Sequence, residues 1–433
     1  MGFDSAAEVV LCSGYRGLDQ THLARLYKCR YNALKADGDV NLSDGDQNVI
    51  ARCRLLRTLS KAEAARHVHA TRFAVREMLS DVKPDVFLSE TTDQYLHQIL
   101  FEECALRGIP AFGIVQTFVN GYFRVSQMGE RCAARTASVD ECAAVLRQLE
   151  DKSYVPNFIA KQKKNLKKAY TKAWLSNFAR VIFFGVYRRI TRDLLNYHYW
   201  ASSRGIFFNH VHFFPAAELG DRNWEAVLRQ DNRPSVFVPL QFFPEATIDY
   251  WVQELDFVNY EGSLIRLLTR LSSDFQFIVK EHPGVWGHRH PSFYDRLAQV
   301  PGLIFCPTNV AAQQCIEVCD AVLVWTGSVG FEAALRGKPV MTVTTPYYQS
   351  GARFKQIGHE TASAEVQAHI ASVGAQPIGE EEKIELIRYL LEGMDPGRIQ
   401  VDGSFTASRQ ADVSSALAVG ATLRHHFGMH VAA

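Results

Sequence analysis

The chain has 433 residues, 47% apolar and 21% charged, with a formal net charge of +1. This is an ordinary globular balance with core material for two to three domains, and a field so near neutral argues neither for nor against nucleic acid. No stretch approaches the roughly 18 apolar residues of a membrane span, so a chain that crosses a membrane is not expected.

The amino terminus, MGFDSAAEVVLCSG, lacks a basic region followed by an apolar core and does not read as a secretory signal. Met1-Gly2 resembles the start of a myristoylation site, but Ala6 stands where that motif needs Ser or Thr. Glu8 to Gly14 reads as a short buried strand ending in small residues. Helical patterns fill most of Leu42 to Val82. Asp85 to Leu88 then read as a strand, Ser89 to Thr92 as a loop, and Asp93 to Arg107 as an amphipathic helix that Gly108 ends and Pro110 follows. AFGIVQ, from Ala111, is the next strand, and this order predicts a right-handed crossover in a parallel sheet.

The middle is different. Residues 161–192, KQKKNLKKAYTKAWLSNFARVIFFGVYRRITR, hold ten Lys or Arg and no Asp or Glu, interleaved with Tyr170, Trp174, Phe178, Phe183, Phe184 and Tyr187. Two readings stand: a solvated basic helix with a buried continuation, or a helix lying on an anionic membrane face with aromatics at the interface. Nucleic acid is not favoured, because the rest of the chain has no RNA- or DNA-binding signature.

The alternation then resumes. SVFVPLQ (Ser235 to Gln241) is a strand, and the stretch from Asp249 to Ser272 is helical. FQFIVKEHP is a strand with a charged end, LIFCP a strand, NVAAQQCIEVCD a helix, AVLVWTG a strand, SVGFEAALRG a helix and KPVMTV a strand. Two α/β halves joined by an irregular segment predict two doubly wound, Rossmann-like domains facing one cleft. The predicted boundaries are 1–215, which takes in 161–192, then 216–395, then a tail or helix at 396–433.

Nine cysteines (Cys12, Cys29, Cys53, Cys104, Cys132, Cys142, Cys306, Cys315 and Cys319) are scattered without a CxxC and read as reduced, mostly buried thiols of a cytosolic protein. The histidines His282, His288 and His290, and the pairs His67/His69 and His210/His212, have no companion cluster at metal spacing, so no metal site is expected. Without a Walker loop or a G-x-S-x-G elbow, NTPase and hydrolase readings are set aside.

Three strands end in polar, turn-rich sequence. In AVLVWTGSVGFEAALRGKPV, a strand leads through Thr326, Gly327, Ser328 and Gly330 into a helix, a cradle in which unpaired amides and the helix dipole meet an anion. Gly327 and Gly330 let a phosphate approach, Thr326 and Ser328 offer hydroxyls, and Glu332 suits two vicinal hydroxyls. The plain alternative is that Ser328 caps the helix and Glu332 favours its dipole. In VKEHPG, Pro283 stops the strand and leaves Lys280 and His282 at its carboxyl end, where open α/β sheets bind ligands; both suit a diphosphate, and a histidine can also donate a proton. A turn and a solvated strand end explain the same residues. In VPLQFFPEAT, Gln241, Glu245 and Thr247 follow the strand. In a parallel sheet these three ends share one edge.

PLQFFPEAT, VKEHP and TGSVGFEAALRGKPV, in that order, resemble the capsule and surface-polysaccharide biosynthesis proteins, glycosyltransferases of the two-Rossmann GT-B type that include Kdo transferases. The His-Pro pair and the Ser/Thr turn are also similar to motifs of bacterial sialyltransferases and glycerophosphate-polymerising transferases. The resemblance covers about Val236 to Tyr347, extends less clearly to PDVFLSETTD and RGIPAFGIVQTFVNGYFR, and is absent from the C-terminal tail. It implies a nucleotide-sugar donor, CMP-, UDP- or GDP-linked, as substrate rather than cofactor, a glycan or glycolipid acceptor, and no protein-bound metal. It implies that His282, Thr326, Gly327 and Ser328 hold the donor phosphate and Glu332 the ribose, with Lys280, Gln241 and Glu245 in the cleft. It implies a carboxylate base on the acceptor side, for which Glu90 and Asp93 are candidates. Asp93 equally suits the dipole of the following helix, and His97 reads as a surface or core histidine. Arg124 is a candidate for a phosphate or an acidic sugar. The expected location is the cytoplasm, peripheral at the inner membrane face if 161–192 docks there. The alternatives are a non-catalytic nucleotide- or glycan-binding assembly module, a sugar-nucleotide epimerase, or a glycerophosphotransferase.

Overall fold

The computed structural model describes residues 22–35, 41–133, 135–151, 153–156, 166–205, 220, 223–282, 285, 289–397, 399, 420–423 and 425–426. The strand expected at Glu8 to Gly14, residues 161–165 of the basic segment, Cys12, His210, His212, Pro283 and His288 lie outside them. The described residues divide into two compact units, one within 1–161, 184–204 and 390–433, the other within 162–183 and 205–389. The first unit therefore takes back the residues after 389, where the sequence pattern predicts a separate tail from 396.

In the first unit, helices α1 (His22–Leu34), α2 (Asp44–Arg52) and α3 (Lys61–Val82) precede the sheet. A reciprocal cap starts α2: Ser43 Oγ accepts from the Asp46 N–H at 3.1 Å, and the Asp46 carboxylate accepts from the Ser43 N–H at 3.2 Å. Strand β1 (Phe87–Glu90), helix α4 (Tyr95–Leu106) and strand β2 (Ala111–Gln116) form the expected parallel crossover, with Phe87 opposite Ala111. Gly108, at φ 66°, takes the left-handed conformation that ends α4. Beyond it the sheet is mixed. Strand β3 (Tyr122–Val125) runs antiparallel to β2, and a two-residue strand, β10 (Asp395–Pro396), pairs antiparallel with β3. The core beneath this sheet joins Phe112, Phe123 and Val125 to Leu423. Helices α5 (Val139–Glu150) and α7 (Tyr197–Ser203) follow β3, and helix α6 (Leu166–Ile190) is divided between the units, through 183 in the second and from 184 in the first.

In the second unit, α8 (Trp224–Leu228) leads into six parallel strands: β4 (Ser235–Pro239), β5 (Gln276–Lys280), β6 (Leu303–Cys306), β7 (Ala321–Val324), β8 (Val340–Thr342) and β9 (Phe354–Gln356). Their order across the sheet is β6-β5-β4-β7-β8-β9, the doubly wound order. The connecting helices are α9 (Ala246–Asp249), α10 (Tyr260–Leu271), α11 (Pro291–Leu297), α12 (Ala312–Val318), α13 (Val329–Leu335), α14 (Ser363–Gly374) and α15 (Glu380–Glu392). On α10, Leu264, Leu267, Leu268 and Leu271 repeat at helical spacing and pack with Val236, Phe277, Leu323 and Trp325 in one core. Each such side chain contributes about 1.5–3 kcal/mol by leaving water. The single helix expected over Asp249 to Ser272 is interrupted: between α9 and α10 lies a 3-10 turn, Leu255–Val258. Val252, Phe257 and Val258 all reach the core there, more apolar side chains than one face of a continuous helix turns inward.

Candidate active site

The edge formed by the carboxyl ends of β4, β5 and β7 is fixed by register. Pro239 lies opposite Lys280, and Phe237 opposite Val322. The chain steps from β4 to β5 to β6 in one direction, then returns to β7 on the other flank of β4. The switch point of the sheet is therefore between β4 and β7, where open α/β sheets hold ligands.

The turns after these strands are joined by polar side chains. The Gln241 N–H donates to Tyr260 Oη at 2.8 Å, and its Nε2 donates to the hydroxyls of Thr247 and Thr326 at 3.3 Å each. Thr326 Oγ1 donates to the Thr247 carbonyl at 3.1 Å. Its proton thus links two turns instead of pointing to a ligand, and Thr326 is buried. Thr247 Oγ1 donates to Glu245 Oε2 at 2.5 Å, leaving that half-buried carboxylate against its own turn.

The three ionisable groups after Val279 go to three places. Lys280 is buried, 7% exposed, with Nζ 3.5 Å from the Glu281 carbonyl and burial lowering its pKa. It is turned inward, near the thiols of Cys306 and Cys315, whose sulfurs are 3.5 Å apart, and does not present the ammonium expected at the lip. Glu281 is also buried. Its Oε2 accepts from Arg289 Nε at 2.8 Å and from Tyr294 Oη at 2.6 Å, while Oε1 accepts from the His282 N–H at 2.6 Å. Arg289, 3% exposed, reaches in the other direction to the Gln241 carbonyl, and lies over the rings of Phe243, Tyr260 and Phe293. His282 stays exposed, edge-on to Phe242 at 5.3 Å. Desolvation, with the cations of Lys280 and Arg289, outweighs the pull of Glu281 and lowers its pKa, so the ring is neutral at pH 7.

At the third turn, Ser328 precedes α13 but its side chain makes no cap bond, and it is half-buried. The capping reading therefore does not account for this hydroxyl. Gly327 packs on Gln241, whose Oε1 would be 3.1 Å from an added Cβ, and its carbonyl accepts from Tyr348 Oη at 2.6 Å. The second glycine has a different reason from the one expected. A Cβ on Gly330 would sit 2.8 Å from both Tyr348 Oη and Val324 Cγ2, so close packing requires it rather than an approaching phosphate. Glu332 lies in the first turn of α13, and burial raises its pKa.

The remaining candidates are in the first unit. Glu90 ends β1 and is exposed; partial desolvation and then the charge of Asp93 raise its pKa. Asp93 pairs with Arg54 and precedes the Gln94 cap of α4, so its partner is a guanidinium rather than the helix dipole. His97 is a buried helix residue, its Nε2 3.3 Å from Gln94 Nε2. Arg124, 1% exposed on β3, is among the largest fully buried side chains; its guanidinium meets no solvent and is not offered to a phosphate or acidic sugar in this structure. His290 caps α11 through Nδ1, accepting from the Ser292 N–H at 3.2 Å.

Sequence reasoning missed Arg289, Tyr260 and Tyr348, which hold the turns from behind. Arg289 is eight residues from Glu281, between two histidines, and no spacing rule marks such a pair; the nearest signal is the cost of burying Glu281 without a cation.

The strand order defines a doubly wound α/β domain, with polar turns at the carboxyl ends of β4, β5 and β7, the edge where such sheets hold ligands. Residues 184–352, which contain all three turns, match the family model described as capsule polysaccharide biosynthesis protein, so the resemblance drawn from the motifs is found again over that segment. No curated protein matches the chain. Among solved structures, the chain is similar to the β-Kdo 2,7 transferase of Thermosulfurimonas dismutans KpsC, at 15% identity and TM-score 0.32 over 82% of this chain and 99% of that one. It is similar to the β-Kdo 2,4 transferase of the same protein at 13% identity and TM-score 0.28, over 69% and 86%. UDP-GlcNAc 2-epimerase from Neisseria meningitidis matches at 13% identity and TM-score 0.26, over 76% and 80%.

Proposed function

We propose that the protein is a glycosyltransferase of surface-polysaccharide synthesis that takes a sugar from a nucleotide donor held at the second unit's switch point. The observation that carries this reading is the meeting of three polar turns on that edge, with an exposed His282 and a Ser328 hydroxyl that does not cap its helix. The donor phosphate sits between the His282 ring N–H and the Ser328 hydroxyl, and Glu332 pairs the ribose hydroxyls. These contacts steady the charge that grows on the phosphate as the sugar leaves. Thr326 and Gln241 shape the cradle from beneath. Glu90 is the better of the two candidate bases for the acceptor hydroxyl, because Asp93 is engaged by Arg54. The acceptor is a growing surface glycan or a lipid-linked saccharide.

The test is thermal unfolding with CMP, UDP, GDP and ADP and their sugar forms. A ligand at a hundred times its dissociation constant adds roughly 2.7 kcal/mol, a readable shift. The nucleotide that shifts the midpoint is then offered as its sugar form with glycan acceptors, and products are read by mass spectrometry. His282→Ala and Ser328→Ala are expected to lower turnover by about 10²-fold or more with folding intact. Near-normal turnover in both variants refutes this site. Nucleotide binding without transfer to any acceptor favours an assembly module, and an epimerised or glycerophosphate product redirects the reading to those activities.

A further inference from the structure

Helix α6 carries a face that neither the sugar-transfer reading nor the core uses. Leu175, Phe178, Ile182, Val186 and Ile190 are between 41% and 74% exposed. Their spacing of three, four, four and four places them on one side of the helix, a stripe about 22 Å long at 1.5 Å per residue. Phe183 and Tyr187, 57% and 37% exposed, widen it. Single apolar residues on a surface are ordinary, but a continuous stripe marks an interaction site. Lys172 and Arg189 are exposed on the same helix, and residues 161–192 contain ten basic and no acidic residues. Among the described residues no helix is long and apolar enough to cross a membrane.

We infer that α6 lies in the plane of an anionic lipid bilayer, with the apolar stripe at the boundary of headgroups and acyl chains and its basic residues on lipid phosphates. Charge complementarity selects this occupant. A second copy docking on the same face would set one basic segment against another, whereas anionic headgroups neutralise both Lys172 and Arg189.

The full chain is sedimented with vesicles of phosphatidylglycerol and phosphatidylcholine, and with phosphatidylcholine alone, at low and high salt. Binding is expected to the anionic vesicles, and it weakens as salt screens the charges. The double variant Phe178→Glu/Ile182→Glu is expected to lose about tenfold or more in partitioning, and Lys172→Glu/Arg189→Glu to lose binding to the anionic vesicles selectively, both with unchanged thermal unfolding. Failure of the natural chain to sediment with anionic vesicles at low salt overturns the proposal. So does undiminished binding by both variants, or a lipid-free dimer that Phe178→Glu/Ile182→Glu dissociates.

Discussion

Replacing Arg289 by Met is expected to loosen two turns at once, since one guanidinium ties both the Glu281 carboxylate and the Gln241 carbonyl. Both partners of the ion pair have side chains about as buried as the structure allows, 1% and 0% exposed. Removing one partner leaves a buried charge uncompensated, at about 3–5 kcal/mol. Denaturant titration reads this directly, and a loss below about 1 kcal/mol, the level of an exposed pair, would remove Arg289 from the role of anchor. The same residues show what a one-dimensional reading can reach. That Lys280, Glu281 and His282 stand at a strand end was legible. Successive strand residues point to opposite faces, so the three could not share one environment. Which buried cation Glu281 finds depends on where the chain returns just before α11 begins, and no local pattern encodes that.

At the scale of elements, the passage from β7 into α13 is the tightest part of the candidate site. Gly330→Ala places a methyl 2.8 Å from Val324 and from Tyr348, and overpacking of this kind costs about 1–3 kcal/mol. Gly327→Ala meets only the end of the Gln241 side chain, at 3.1 Å, and is expected to be milder. Comparing the two melting temperatures checks the assignment; equal losses would contradict it. The sequence was most readable where a buried run carries its own punctuation: β2 spans the six residues of AFGIVQ, and β7 the AVLV before the Thr-Gly turn. It was least readable where pairing makes the strand. Phe354–Gln356 and Tyr122–Val125 are three and four residues with little apolar period. They extend only because β8 and β2 offer free edges.

For the whole molecule, acid sensitivity is expected to begin well above the carboxylate range. His67 and His97 are 1% and 9% exposed, and burial above all pushes their pKa values to about 3 and about 4. Unfolded, each returns to about 6.5. Between those values the unfolded chain binds more protons, so the stability conferred by neutral histidines is complete above pH 6.5 and lost as pH falls toward 4. The loss by pH 5 is about 2 kcal/mol per histidine. Asp46 and Glu103 do not confuse the window. Burial opposes their ionisation, but hydrogen bonds from Ser43 and Arg72, and from Arg76 and Arg107, hold their pKa values below the usual range. Urea titrations at pH 7 and pH 5, with His97→Gln flattening the difference, test this; a flat profile across the window would refute it. At this scale the doubly wound second unit was legible from its alternating pattern, whereas the mixed sheet of the first unit was not, because one of its strands is drawn from the far end of the chain.

That borrowed strand has a consequence for the time course of synthesis. Asp395–Pro396 closes the sheet begun by β1 and β2, Leu423 fills its core, and His426 meets Asp395 at 2.9 Å. All of the second unit between residues 205 and 389 is translated before these residues exist. A ribosome adding about 5–20 residues per second therefore leaves β3 with an unpaired edge for on the order of tens of seconds. During that interval the nascent first unit waits, open on one side, while the later unit has everything it needs to fold, an inversion of the usual amino-terminal-first order.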